Sequence, residues 1–414
     1  MKKFLALTLA LVMSLSLVAC GDKKTDDTKT DAPDQTEQPA ENEGAYKVAM
    51  ITDYGDITDQ SFNQTTYEAC KAFAEDNDIE FNYFKPVGDN TADRVAMIEK
   101  AVDEGFNVIV MPGYAFGGAI VEAAPEFPDV KFIALDVAAG DLLETAVAKA
   151  GEAYDYTPEN WDLNKYVDMS NVYCAVYQEE LCGYMAGYAA VKLGYKNLGF
   201  LGGMSVPAVV RYGYGFVQGV DAAAADLGLT DVKLNYIYGG QFFGDADITA
   251  VMDTWYQGGT EVVFACGGGI YTSAVDAAKK VNAKVIGVDV DQAGVIAKYA
   301  GVDGMTVTSA MKGLYPATYD TLTDVIVNGN WDKYVGKIAT LGLVSGTDPE
   351  ANYVQIPMGD GTQWSDSFTQ DDYKAMVKDM FDGKITVSNN TSSDVSAADF
   401  ATVITVDDQG SIKG

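Results

Sequence analysis

The chain has 414 residues, with 28 Lys+Arg against 60 Asp+Glu, a formal net charge of −32 and no histidine. Without an imidazole it holds no Ser-His-Asp or Cys-His catalytic pair, no His-bearing zinc site and no histidine general base. Its acidic excess repels a phosphate backbone and no basic patch offsets it, which excludes nucleic-acid polymers as expected partners, while a 48% hydrophobic composition suffices for a large core.

In chain order, Lys2 and Lys3 precede an apolar run over residues 4–18, of signal-peptide length and short of the roughly 20 residues that span a bilayer. The following Leu17-Val18-Ala19-Cys20-Gly21 resembles a bacterial lipobox. The expectation is that residues 1–19 are removed and Cys20 is lipidated, anchoring an extracytoplasmic protein to the bacterial cell membrane without a transmembrane helix. Ordinary secretion with Cys20 discarded is the alternative. Residues 21–44 contain no Val, Ile, Leu or aromatic and read, with Cys20, as a disordered acidic tether. These first 44 residues carry five lysines against eight acids, so a net −29 belongs to the remaining 370 residues, a length that suits two domains.

From residue 45 short β-branched runs alternate with amphipathic stretches. The pattern predicts strands over 48–53, 79–84, 108–112 and 131–136, separated by helices near 62–77, 91–104 and 117–125. A polar, aromatic excursion over 149–170 breaks the rhythm and reads as a lobe boundary. The beat then restarts with strands over 172–177, 198–202, 233–238, 262–266 and 285–289 and helices near 179–193, 208–227, 246–257 and 271–281. A strand over 305–311 and a helix over 313–328 follow, and the tail beyond 345 shows one helical stretch near 370–382. The fold class this predicts is α/β, two doubly wound parallel-sheet lobes. Cys70, Cys174, Cys182 and Cys266 sit among apolar neighbours with no C-x-x-C pair and read as buried thiols rather than a metal cluster.

Ligands of open parallel α/β sheets bind beyond the carboxyl ends of the strands. Those ends carry Asp53, Gly113, Asp136, Gly202-Gly203, Gly267-Gly268-Gly269 and Asp289. Carboxylates accept paired hydrogen bonds from vicinal hydroxyls and glycines admit close backbone donors, so the set suits a polyhydroxylated small molecule; a helix N-cap is the alternative role for any one Asp. Phosphate-loop chemistry is absent, since no G-x-x-x-x-G-K-[ST] occurs and Gly267–Gly269 runs into Ile270-Tyr271. A calcium loop opening at Asp289-x-Asp291 fails at its twelfth position, Ala300. Gly213-x-Gly215 falls inside a helix, where packing is its expected role.

The segment Thr52-Asp53-Tyr54-Gly55-Asp56-Ile57-Thr58-Asp59-Gln60-Ser61-Phe62-Asn63-Gln64 is similar to the opening signature of the basic membrane protein family of substrate-binding lipoproteins, which includes bacterial purine nucleoside receptors. Four further blocks keep the family's order: Gln178-Glu179-Glu180 through Tyr188, Gly202-Gly203-Met204 through Phe216, Ile286 through Gln292, and Thr308 through Lys312. The resemblance implies a type I periplasmic-binding fold, with lobes of 45–170 plus about 293–325 and 171–292 plus about 326–414 joined by a crossing-strand hinge. It implies a monomer that closes on a nucleoside, a purine nucleoside by expectation, and delivers it to the permease and ATPase subunits of an ABC importer, with no cofactor and no covalent chemistry.

Carried onto this chain, the ligand contacts implied are Asp53, Asp59, Ser61, Asn63, Asp136, Gly268, Asp289 and Lys312, with the base sandwiched between Tyr67 and Tyr212. Asp289 with Lys312 would hold the ribose hydroxyls, and Lys312 would offset the carboxylates. Glu179 and Glu180 start a helix, where acids are favoured by the dipole, and stay outside this set. Two other classes remain open: a surface sensor for another polyhydroxylated ligand, and a secreted acidic hydrolase with paired carboxylates.

Overall fold

The computed structural model describes residues 45–413, so the signal peptide, Cys20 and the tether expected over 1–44 lie outside the described residues. The chain begins with β1 (Lys47–Ile51), α1 (Phe62–Asn77), β2 (Glu80–Phe84), α2 (Thr91–Asp103), β3 (Val108–Pro112), α3 (Phe116–Ala123), β4 (Lys131–Leu135) and α4 (Ala139–Lys149). A short α5 (Leu163–Tyr166) leads to β5 (Val172–Tyr177), α6 (Glu179–Lys192), β6 (Asn197–Gly202), α7 (Pro207–Leu227), β7 (Lys233–Tyr238), α8 (Ala246–Gln257), β8 (Val262–Cys266), α9 (Tyr271–Val281) and β9 (Lys284–Asp289). The remainder is α10 (Ala293–Ala300), β10 (Thr306–Lys312), α11 (Leu314–Leu322), β11 (Lys337–Leu341), β12 (Val354–Gln355), α12 (Gln370–Phe381) and β13 (Thr405–Ser411).

The strands form two sheets, one ordered β11-β5-β4-β3-β1-β2 and the other β12-β10-β9-β8-β6-β7-β13, in which every pairing except β10 with β12 is parallel. Central strands such as β3 (VIVMP) and β8 (VVFAC) are buried at every residue. That is why they read as continuous apolar runs, since a parallel sheet is covered by helices on both faces.

The chain changes sheet three times, between β5 and β6, between β10 and β11, and between β11 and β12. These crossings correct the expected lobe boundaries. Residues 172–177 and 337–341, expected in the second lobe, are neighbouring strands of the first sheet, and 306–312, expected in the first lobe, pairs with β9 in the second. The break over 149–170 is an elaboration of the connection from β4 to β5; the chain crosses one strand later, between β5 and α6.

α6 packs against α7 at backbone contact. A Cβ on Gly183 of α6 would lie 2.3 Å from the Tyr212 carbonyl oxygen, and one on Gly215 of α7 would lie 2.1 Å from that of Glu180. Gly215 thus has the packing role expected of it. The helix expected over 313–328 is α11 followed by a π-helical turn at Thr323–Val327. Cys70, Cys174, Cys182 and Cys266 are free and buried, and among the described residues no helix is long and apolar enough to cross a membrane.

Candidate functional site

The carboxyl ends of the two sheets face a shared cavity of about 410 Å³, within the roughly 300–1,000 Å³ of small-molecule sites. Of the ten ligand contacts expected from sequence, Asp53, Asp59, Asn63, Asp136, Tyr212, Gly268, Asp289 and Lys312 line it. Strand geometry explains the convergence: Asp53 and Asp136 follow β1 and β4, whereas Asp289 and Lys312 are the last residues of β9 and β10.

Lys312 is the charge centre. Its Nζ lies 2.5 Å from Asp136 Oδ2, 3.3 Å from Glu179 Oε1 and 3.8 Å from Asp289 Oδ1. Burial pulls its ammonium toward neutrality, but Asp136, Glu179 and Asp289 together hold it well above the ordinary lysine range. Burial likewise pushes the Asp136 carboxyl upward against the opposing pull of Lys312. Glu179 is fully buried and also accepts from Arg211 Nε at 2.7 Å, so the acid left outside the expected set is part of this network. Its signal in the sequence, an acid at a helix start, is shared with ordinary dipole-favoured acids.

Asp289 is organised from both sides of the cavity. Its Oδ2 accepts from Ser61 Oγ at 2.5 Å and its Oδ1 accepts from Tyr212 OH at 3.2 Å. Ser61 is therefore not on the cavity wall; its hydroxyl is committed to Asp289, and its buried position leaves it no exposed face. Asp59 does line the wall, but it accepts the backbone N–H groups of Ser61, Asn63 and Gln64 at 2.9, 2.9 and 3.1 Å, plus Asn63 Nδ2 at 3.2 Å. Its carboxylate caps the start of α1, and burial pushes it up to about 6 despite those donors.

Tyr67 is placed elsewhere. Its ring packs on Phe81 and Tyr83 at centroid distances of 5.6 and 5.4 Å and borders a separate groove with Lys71 and Asp78. The helix axis explains this, because one turn carries the side chain about 5.4 Å further from the cavity. The ring that α1 does present is Phe62, its first residue, which lines the cavity with Lys312 Nζ 4.7 Å from its centroid. The sequence signal for Phe62 is its place between Ser61 and Asn63 at the first residue of α1, inside the block that carries the other cavity residues. Tyr54, Tyr114, Phe242 and Phe243 add further aromatic wall, and the Tyr54 and Tyr114 hydroxyls meet Met204 Sδ, which follows β6 of the second sheet, at 3.6 and 3.9 Å.

Two atoms on this wall have unmet hydrogen-bonding capacity. Asn63 Oδ1 and Asp136 Oδ1 are buried and have no hydrogen-bond partner among the described residues. A buried acceptor left unpaired costs about 1–3 kcal/mol, so a ligand that brings donors to both positions is favoured. No set of carboxylates or thiols among the described residues is arranged to hold a metal ion.

The Bmp family profile, described as ABC transporter substrate-binding protein PnrA-like, matches residues 46–348. The chain is 25% identical over 401 residues to the ABC transporter nucleoside-binding protein BmpA of Lactococcus lactis subsp. cremoris, covering 94% of this chain and 99% of that protein. It is 26% identical to an uncharacterized lipoprotein of Pyrococcus abyssi, covering 82% of this chain and 74% of the relative. Among solved structures, a solute-binding protein of an ABC transporter system from Aeropyrum pernix K1 superposes with a TM-score of 0.59 at 20% identity, over 82% of this chain and 87% of that one. That likeness establishes the fold.

Proposed function

This chain belongs to the Bmp family of PnrA-like ABC transporter substrate-binding proteins, and from that premise we propose that its cleft captures a nucleoside, with a purine base preferred, and delivers it unchanged to the permease and ATPase of an importer. The observation that carries the reading is the pairing of flat rings with unsatisfied acceptors. Phe62 and Tyr212 offer faces for a base, Asn63 Oδ1 offers an acceptor beside them, and Asp136, Asp289 and Lys312 form a charged end suited to ribose hydroxyls. Phe62 takes the stacking role that the resemblance assigned to Tyr67. The name of the Lactococcus relative supports the same ligand class.

Binding of this kind closes the lobes around the ligand. Ser61 to Asp289, Gln292 Nε2 to the Gln60 carbonyl oxygen at 3.1 Å and Lys312 to Asp136 are among the contacts that join them. The same reading makes the protein a monomer anchored through lipidated Cys20, with residues 21–44 as the tether between membrane and binding domain.

The test is mass spectrometry of small molecules released by denaturing the purified protein. A near-stoichiometric intact nucleoside supports the reading and names the base. If none is released, and ligand-free protein shows no thermal shift with a nucleoside panel at concentrations that would add about 2.7 kcal/mol at 100 times Kd, the nucleoside assignment fails. Loss of metabolic palmitate labelling in Cys20→Ser tests the anchor.

A further inference from the structure

The family match ends at residue 348, and the segment beyond it returns to the cleft. After α12 the chain crosses α7, where Tyr214 OH donates to the Val395 carbonyl oxygen at 2.9 Å. Asp221 then gathers the backbone N–H groups of Thr402, Val403 and Ile404 at 2.8, 2.8 and 3.2 Å. β13 adds itself to the edge of the second sheet beside β7, and the Ile412 N–H continues the pairing onto the Tyr238 carbonyl oxygen at 2.8 Å. Held along this length, the segment delivers Lys413 to one place. Its Nζ donates to Gln241 Oε1 at 2.7 Å and pairs with Asp245.

Gln241 and Asp245 bracket the loop between β7 and α8, and Phe242 and Phe243 of that loop line the cavity. The loop is tied in turn to the glycine turn on the cavity wall, with the Gly269 N–H donating to the Phe242 carbonyl oxygen at 2.9 Å. Gly240 is where the two segments cross. Its φ is 77°, and a Cβ there would sit 2.7 Å from the Lys413 carbonyl oxygen, so the contact requires glycine.

We infer that Lys413 is a positioning residue for the ligand cleft, clamping the 239–245 loop so that Phe242 and Phe243 stay over the bound ligand. This rests on the cavity being the ligand site. It makes a segment outside the family match part of the binding apparatus of this chain, through charge-assisted hydrogen bonds of a kind stronger than neutral ones. Because Lys413 and Asp245 are partly exposed, the effect is a modest change in residence time rather than a loss of binding.

The experiment compares wild type, Lys413→Ala and Lys413→Arg in the full chain. Amide hydrogen exchange is measured over residues 239–245 without ligand, and dissociation rates are measured with guanosine, inosine and adenosine as probes. Lys413→Ala is expected to speed exchange in the loop and ligand release by about fivefold, the scale of a partly exposed ion pair, with the melting temperature held within about 2 °C and with Lys413→Arg restoring both. Unchanged exchange overturns the clamp. Faster exchange with unchanged release overturns its role in binding. If wild type binds none of the probes, the nucleoside reading falls, while the exchange comparison still decides the clamp.

Discussion

Asp136 and Asp289 are counterparts in the two lobes. Each stands at the carboxyl end of its strand with a left-handed φ, 59° and 65°, and each turns its carboxylate toward the Lys312 ammonium, at 2.5 and 3.8 Å. Left-handed backbone is uncommon outside glycine, asparagine and aspartate, and strain of this kind clusters where ligands are held. Asp289→Ala should therefore act twice. It adds about 1 kcal/mol of backbone strain and removes the acceptor of Ser61 and Tyr212, and nucleoside affinity should fall by about 100-fold or more, as for loss of a charged hydrogen-bond partner. Asp289→Asn keeps the conformation and should lose less. Calorimetric affinity unchanged in the Ala variant would remove Asp289 from the site.

Lys312 is the cation facing three buried carboxylates. Lys312→Met should destabilise the fold by about 3–5 kcal/mol, the cost of leaving buried charge unpaired. The deficit should shrink on acidification, because protonating Asp136 removes the charge that lost its partner. Urea midpoints at pH 5 and pH 8 check this, and a deficit independent of pH would contradict it.

The placement of the rings separates two assignments. Phe62→Ala should weaken binding by about tenfold, in line with an aromatic contact worth about 0.5–1.5 kcal/mol beyond its area. Tyr67→Ala should leave affinity within about twofold, since its ring packs on Phe81 and Tyr83 and distant sites act independently. The reverse ranking in a titration would restore Tyr67 to the cleft.

How far the sequence reached follows from burial. β1, β3, β8 and β9 were legible because both faces are covered, and the aspartates ending such strands pointed to the crevice. β11 and β13 were not, because neither has a buried residue and β13 reads TVDDQGS, leaving no apolar period to detect, whereas the edge strand β2 keeps the aromatic run of EFNYF. α4 was missed because AGDLLETAVAK follows its strand within a few residues and has no cap of the common type, Ala138 standing where Ser or Asp is usual. The lobe boundaries are not legible, because the polar excursion over 149–170 stays within the first lobe, whereas the crossing over Tyr177, Gln178 and Glu179 carries no break in composition.

Glu180 gives a pH prediction. It is buried on α6, Oε2 has no partner among the described residues, and burial, reinforced by Glu179, pushes its carboxyl up to about 7. An acid whose folded value exceeds its unfolded value of about 4.3 binds more protons in the folded state, so its contribution favours folding at low pH and is lost as pH rises from about 4 to about 7. Asp141, pushed up to about 7 chiefly by burial, acts in the same direction. Glu180→Gln should accordingly raise the melting temperature relative to wild type more at pH 8 than at pH 5. An equal offset at both values would show that Glu180 does not titrate with folding.

The order of strands also sets when the molecule can fold. The first sheet lacks its edge strand until residue 341 has been made, and the second lacks β13 until residue 411. Parallel pairs this distant in sequence form slowly because their loops must close first. A chain that emerges amino terminus first thus leaves the first sheet open at one edge until residue 341 and the second until residue 411, so each sheet waits on a segment far along the sequence from its other strands.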